Sequence, residues 1–411
     1  MTPLQLVVFY FLFVHSRANS YLHDTPRQTY KNYKLIRIYP DSDDTLHYLK
    51  SLYEGSSPYE LDFWQPPTNI GGIVDVTVAP SDASIFVRDL ESMNLHYVVA
   101  VNDLERAIEN EKSPEAFYHP EAGGYSYDKY NSLDDIHDEM IRLRKEKPDM
   151  ISLIDIGETH ENRSLLVIKI SGHKSTIGKK ISMWIDAGIH AREWIAPATA
   201  MYIVRELVNG YDSDPSIQKI LDHMDFYILP VMNPDGYEYS RLKNQKSFFA
   251  ATGSSMDPCH ETYHGPKAFS EPETMAVRDY LEANKPEAFI TLHSYSQMWL
   301  IPYGHRKRSY PQDYHTALES EEIENPPDLA YGFLLPEREI PATGLETFAA
   351  IKVVAEEMVA QFVEPEIRRR VKPTPPPLPK RRGYKIIATT PHENVGIGAI
   401  LGLQFCKNAT L

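Results

Sequence analysis

His190 and Glu193 stand three residues apart in DAGIHAREWIAP, the run from Asp186 to Pro197, directly after the apolar stretch Ile181 to Ile185. An imidazole and a carboxylate presented by such a turn can close on one zinc ion, whose nitrogen and oxygen ligands sit at about 2.0 to 2.2 Å. A third ligand is still needed. His293, which ends a second apolar run in AFITLHSYSQM, supplies it. Two histidines and one glutamate leave the fourth tetrahedral position open, which marks a catalytic rather than a structural zinc. One zinc ion per chain is therefore expected.

Side chains far apart in sequence meet only if strands and helices bring them together. KKISMWIDAGIH and AFITLHSY read as strands, and ligands gather just past the carboxyl ends of strands in sheets flanked by helices. ISLIDIG and SLLVIKIS read as two more strands, and MDFYILPVMNPDG as a strand that ends in turn residues. Ser132 with Asp135 marks a helix start, with Ile136, Met140 and Leu143 on its buried face. Trp194 to Leu207, Pro272 to Asn284 and Gly344 to Val363 complete the helices, Pro197 being tolerated in a first turn. Strands alternating with helices predict an α/β fold: a mixed, mostly parallel central sheet with helices on both faces.

The N-terminal portion follows a different plan. KLIRIYP, ELDFW, IVDVTVAP and HYVVAV read as strands, with helices over Asp43 to Tyr53 and Ser81 to Met93. The order βαββαβ is the ferredoxin-like unit. It contains no cluster of His, Cys or Glu that suggests chemistry of its own. Asp103 to Glu115, rich in charge, reads as a helical connector.

At 411 residues and 42% hydrophobic content, the chain can bury more than one core. A net charge of -15 excludes nucleic acid as an expected partner, since no basic face is implied. Leu4 to Val14, followed by SRANS, reads as a secretory signal peptide cleaved near Ser20. A membrane anchor is the alternative, but the run falls short of the roughly 20 residues that span a bilayer. The expected location is thus secreted and extracellular, with no membrane span. Asn162-Arg-Ser and Asn408-Ala-Thr are candidate glycosylation acceptors, and Cys259 either pairs with Cys406 or stays a free thiol. Past Pro365 the chain turns basic and proline-rich, which predicts an extended tail that also takes in the apolar run Val395 to Phe405.

HAREWIAPA, NPDGYEYS (Asn233 to Ser240), CHETYHG, LHSYSQM and YGFLLP (Tyr331 to Pro336), in that order, resemble the landmarks of the M14 zinc carboxypeptidases, the A/B type in particular. The two-histidine, one-glutamate ligand set belongs to that family, so chemistry and resemblance are not independent here. The resemblance implies a secreted proenzyme that hydrolyses the last peptide bond of peptides or proteins. Residues 1–20 are then the signal peptide, 21–112 the propeptide with its connector, 113–364 the enzyme domain and 365–411 the tail. A trypsin-like protease would activate it at Arg106 or Lys112; a permanently attached regulatory domain is the alternative. Arg192 resembles the family's substrate-contacting arginine, with a surface salt bridge as the other reading. Tyr295 either lines the cleft or packs in the core.

Two blocks of the family pattern are missing. Glu324 stands at the family's offset for the catalytic base before Tyr331, yet in a polar, proline-broken stretch where the family has a strand. The other reading makes it one of a solvated acidic face with Glu319, Glu321 and Glu322. Between Ser240 and Cys259 there is no Asn-Arg pair to grip a terminal carboxylate, and Arg241 and Lys243 are the nearest cations. Two contiguous losses between intact landmarks point to omitted coding segments. The alternative function is a non-catalytic homologue that binds zinc and peptides.

Overall fold

The computed structural model describes residues 29–55, 57–111, 124–173, 180–243, 265–295, 299–300, 333–363 and 400–405. Strands β1 (Lys34–Tyr39), β2 (Leu61–Gln65), β3 (Val74–Val78) and β4 (His96–Val101) form one sheet in the order β2-β3-β1-β4, antiparallel throughout. Helices α1 (Asp43–Glu54) and α2 (Ala83–Ser92) connect β1 to β2 and β3 to β4, which is the expected βαββαβ unit. Helix α1 starts where Ser42 and Thr45 cap each other, and Asp43 and Asp44 oppose the helix dipole in its first turn. Leu49 and Leu52 of that helix, and Phe86 and Leu90 of α2, pack on Ile36, Ile38, Val74, Val76 and Val78. Helix α3 (Leu104–Asn110) follows, capped by Asp103.

Among the described residues the second sheet has seven strands. β5 (Ile151–Glu158), β6 (Ser164–Ile170), β7 (Ile181–Ala187), β8 (Met224–Leu229), β9 (Ala288–His293), β10 (Trp299–Leu300) and β11 (Ile400–Phe405) lie in the order β10-β11-β9-β7-β8-β6-β5. Helices α4 (Leu133–Glu146), α5 (Ile195–Gly210), α6 (Pro215–His223) and α9 (Ile340–Met358) share a core with Met183, Ile185, Ala187, Ile290 and Leu292 on one face. On the other face Val277 of α8 (Pro272–Asn284) packs with Trp184 and Val167. Helices therefore cover both faces, as expected. Parallel pairing is narrower than "mostly": β7 pairs parallel with β8 and β9, and β10 with β11, while the other three pairings are antiparallel. β5 and β6 are joined by a hairpin too short for a crossover, so they run antiparallel.

Three elements depart from the sequence reading. The turn expected at Asn233–Gly236 opens helix α7 (Pro234–Lys243): Pro234 takes the first position and the Asn233 side chain accepts the Gly236 N–H at 2.9 Å. Helix α9 begins at Ile340, with Gly344 inside it. A Cβ at that glycine would stand 2.4 Å from Tyr202 Cγ, so the residue permits the close packing of α9 on α5. Most different is the C-terminal segment, where Ile400–Phe405 is not part of an extended tail but a strand of the main sheet, antiparallel to β9. An apolar run and the otherwise open edge of a buried strand account for that pairing. Among the described residues no helix is long and apolar enough to cross a membrane.

Candidate metal centre

Strand β7 ends at Ala187, and the chain turns at Gly188, whose φ of +67° strains any other residue and where a Cβ would stand a tight 3.0 Å from Pro197 Cγ. The turn is strapped from the other side by the start of α7. Met232 and Asn233 donate backbone N–H groups to Ala187 and Gly188 at 2.8 and 3.1 Å, and the Asn233 side chain donates to the Ile189 carbonyl at 3.3 Å. Ser240, fully buried, sets its hydroxyl 2.9 Å from both the Ala191 carbonyl and Trp194 Nε1. These ties hold 189–194 in one shape. Asn233 and Ser240 are positioning residues that the sequence reading passed over, although NPDGYEYS carried the signal.

The three predicted ligands meet. His190 Nδ1 lies 2.8 Å from Glu193 Oε1, His293 Nδ1 lies 3.1 Å from Glu193 Oε2, and the two Nδ1 atoms are 3.2 Å apart. One ligand atom from each residue can be chosen with all of them within 4.8 Å of one another. Two tetrahedral zinc ligands at about 2.05 Å stand about 3.3 Å apart, so the set fits the ion. Electrostatics agree with the geometry. Burial pushes the Glu193 carboxyl up, but hydrogen bonds from His190 and His293 outweigh it and hold the group below its usual range. Burial likewise lowers His293, yet Glu193 lifts it above the ordinary imidazole value.

The profile of the family described as zinc carboxypeptidase matches residues 136–324, and that of the carboxypeptidase activation peptide matches 36–111. Carboxypeptidase A2 of Rattus norvegicus is 33% identical over 315 residues, covering 70% of this chain and 74% of its own. The chain belongs to the zinc carboxypeptidase family. Carboxypeptidase B of the same species is 34% identical over 309 residues, covering 68% of this chain and 72% of its own. The crystal structure of thrombin activatable fibrinolysis inhibitor superposes with a TM-score of 0.69 at 27% identity, covering 80% of this chain and all of that one. The ferredoxin-like unit is thus the family's activation peptide; the family's metal is zinc, and His190, Glu193 and His293 form a group that could hold it.

Arg192 and Tyr295 stand within two residues of the ligands in sequence and meet at Phe333, and Tyr295 reaches the activation peptide. The Arg192 guanidinium lies 4.1 Å over the Phe333 ring, with its Nη1 buried and without a hydrogen-bond partner among the described residues. Tyr295 stacks edge-on against Phe333 at 4.8 Å, and its hydroxyl donates to Asp75 Oδ2 of β3 at 2.7 Å. Trp64 of β2 meets Phe333 from the peptide side at 5.5 Å. Arg241 is turned elsewhere: its Nη1 donates to the Tyr130 carbonyl at 2.8 Å, and its guanidinium lies 5.6 Å from the Trp194 and Tyr237 rings. Glu324, Lys112, Cys259, Cys406, Asn408 and residues 1–20 lie outside the described residues.

Proposed function

We propose that the chain is a secreted proenzyme that, once its activation peptide is cut, removes the C-terminal residue of peptides or proteins. The observation that carries this reading is the convergence of His190, Glu193 and His293 at the ends of strands, with spacings that suit one zinc ion. Bound there, zinc supplies Lewis-acid polarisation of a carbonyl and a more acidic water. The chain's own residues do the rest. Glu193 neutralises part of the metal's charge, and Asn233 and Ser240 keep the ligand turn rigid. Arg192, whose Nη1 has no partner among the described residues, turns its guanidinium toward substrate, and Tyr295, freed of Asp75, becomes part of the cleft wall. The offset before Tyr331 carries the role of general base to Glu324.

Of the two cleavage points, Arg106 sits within helix α3, which a trypsin-like protease must unwind before it can bind the chain. Lys112 is therefore the favoured cut. The full chain, treated with trypsin and loaded with zinc, is expected to release single residues from the C-termini of mixed peptides; one zinc bound per chain with no release sinks the hydrolytic reading. That second outcome is the one favoured by the lack of an Asn-Arg pair between Ser240 and Cys259, and it describes a zinc- and peptide-binding homologue without turnover. If release occurs, Glu324→Gln should abolish it; retained activity assigns the base elsewhere.

A further inference from the structure

The metal centre makes no use of the motif Asn162-Arg163-Ser164, yet the fold gives it a definite place. β5 and β6 run antiparallel with Glu158 opposite Ser164, and the loop Thr159–Arg163 joins them. Most of that loop is tied down. Thr159 Oγ1 and the Glu161 N–H donate to the two carboxylate oxygens of Asp235 in α7 at 2.7 and 3.0 Å, and Arg163 Nη1 donates to the same carboxylate at 2.5 Å. His160 Nε2 lies 2.8 Å from Glu271 Oε2, just ahead of α8. The exception is Asn162. Its backbone N–H closes the turn on the Thr159 carbonyl at 3.0 Å, and its φ of +59° falls where asparagine is among the few side chains tolerated. The residue is exposed, and its side chain makes no hydrogen bond to a described residue.

We propose that Asn162 is a site of N-linked glycosylation. The chain offers both things the modification needs: a side-chain amide that the described fold does not use, and a hydroxyl two residues on, with arginine rather than proline between. In the transfer, Asn162 Nδ2 attacks the anomeric carbon of a lipid-linked oligosaccharide. The C–N bond forms as the C–O bond to the lipid diphosphate breaks, and the amide gives up one proton. Strand register says where the sugar then stands. Ile168 of β6 and Ile185 of β7 both lie opposite Ile228 of β8, antiparallel and parallel respectively, so β6 starts at the end of the sheet where β7 finishes. That end carries His190 and Glu193. In the order β7-β8-β6-β5 the hairpin lies two and three strands from β7, about 10 to 14 Å at ordinary spacing. The sugar is therefore rooted beside the metal centre and leaves the ligand turn uncovered. Asp235, which anchors the loop, lies two residues after Asn233, whose side chain holds the Ile189 carbonyl.

The proposal rests on the secretory reading of the chain. The full chain is expressed in cultured eukaryotic cells, and protein taken from the medium is digested and mapped by mass spectrometry. The peptide that holds Asn162 should carry an oligosaccharide in most molecules, and peptide N-glycosidase should remove it with conversion of Asn162 to aspartate. Ser164→Ala keeps the amide but loses the hydroxyl; its sugar on this peptide should vanish, and the chain should run faster on a denaturing gel. Ser164→Thr should keep the sugar. Asn408 is mapped on a separate peptide, so a sugar there is not mistaken for one at Asn162. An unmodified Asn162 in the secreted parent overturns the proposal without recourse to any variant, as does a modification that survives in Ser164→Ala. A chain found only in the cytosol overturns the secretory reading, and the proposal with it.

Discussion

The activation peptide and the enzyme domain each bury a carboxylate, and the two are held in opposite ways. Asp75 in the activation peptide is wholly buried; Arg37 donates to both its oxygens at 2.7 Å, and the Tyr295 hydroxyl adds a third bond at 2.7 Å. A permanent guanidinium charge closes that network on protein atoms alone. Glu193 is buried too, but its partners are two imidazoles whose nitrogens also face one another at 3.2 Å. Imidazoles carry no fixed charge: they can donate to Glu193, as here, or give up those hydrogens and offer lone pairs to a cation. Burial of an acid therefore says little about function, whereas the nature of its partners separates a structural ion pair from a binding site.

That contrast can be broken at its strongest point first. Arg37→Met leaves Asp75 charged and buried without its counter-ion, which costs about 3 to 5 kcal/mol in unfolding free energy. The loss should appear in denaturant unfolding while zinc affinity stays unchanged; a variant as stable as the parent would show that Asp75 is not locked by charge. Glu193→Gln should behave the other way round. The roughly 10 to 16 kcal/mol of a structural zinc site with four protein ligands is about 3 kcal/mol per ligand, so loss of one of the three here should lower zinc affinity by about a hundredfold. Stability of the metal-free variant should change little, because no fixed cation is orphaned. Saturating zinc at about a thousand times its dissociation constant should raise the parent's unfolding free energy by about 4 kcal/mol, and chelation should reverse this.

Tyr295→Phe acts where the two regions touch. It removes one bond to a charged acceptor, worth about 1.5 to 3 kcal/mol, while Trp64 and Tyr295 keep their ring contacts with Phe333. The activation peptide, cut at the connector, should dissociate faster by about ten- to a hundredfold, read by the time course of its release. An unchanged release rate would mean that ring packing alone holds the peptide down.

The ligand triad can be read from sequence because metal chemistry restricts both residue type and position: His190 and Glu193 share a turn, and His293 ends a strand of alternating pattern. Capped helices are readable for the same reason, as at Ser132 and Asp135, where the bond is local. What is not readable is contact across long separations. Nothing near Tyr295 says that its hydroxyl meets Asp75, 220 residues away. Asn-Pro-Asp-Gly is ambiguous in itself, since the residues that make a turn also cap a helix, and only Tyr237 and Ser240 packing into the core decides for α7. The largely apolar run Ile400–Phe405 offers a strand, but which edge it joins depends on an opening in the sheet that local pattern does not record.

An exposed carboxylate sets the lower end of the scale. Asp214 caps α6, accepting from Ser216 N and Oγ at 2.8 Å each, and pairs with Lys352 of α9 at 2.9 Å; its side chain is 37% exposed. The Lys352 ammonium first, and the Ser216 bonds next, hold its pKa at about 2 against an ordinary 3.8. Asp214→Ala should cost about 1 kcal/mol at neutral pH, the usual worth of such a cap. Because the folded-state value is depressed, the native state binds fewer protons than the unfolded chain between the two values. Stability from Asp214 is therefore complete above about pH 4 and is lost as pH falls through about 2. Unfolding free energies of parent and variant should differ by a constant amount from neutral pH to about 4 and converge below that. Lys352→Met should shrink the gap without moving the helix start, since Ser216 still satisfies the cap. A gap that persists at pH 1.5 would place the contribution in packing rather than charge, and the ordering from Asp75 through Glu193 to Asp214 would no longer follow from what each carboxylate is bonded to.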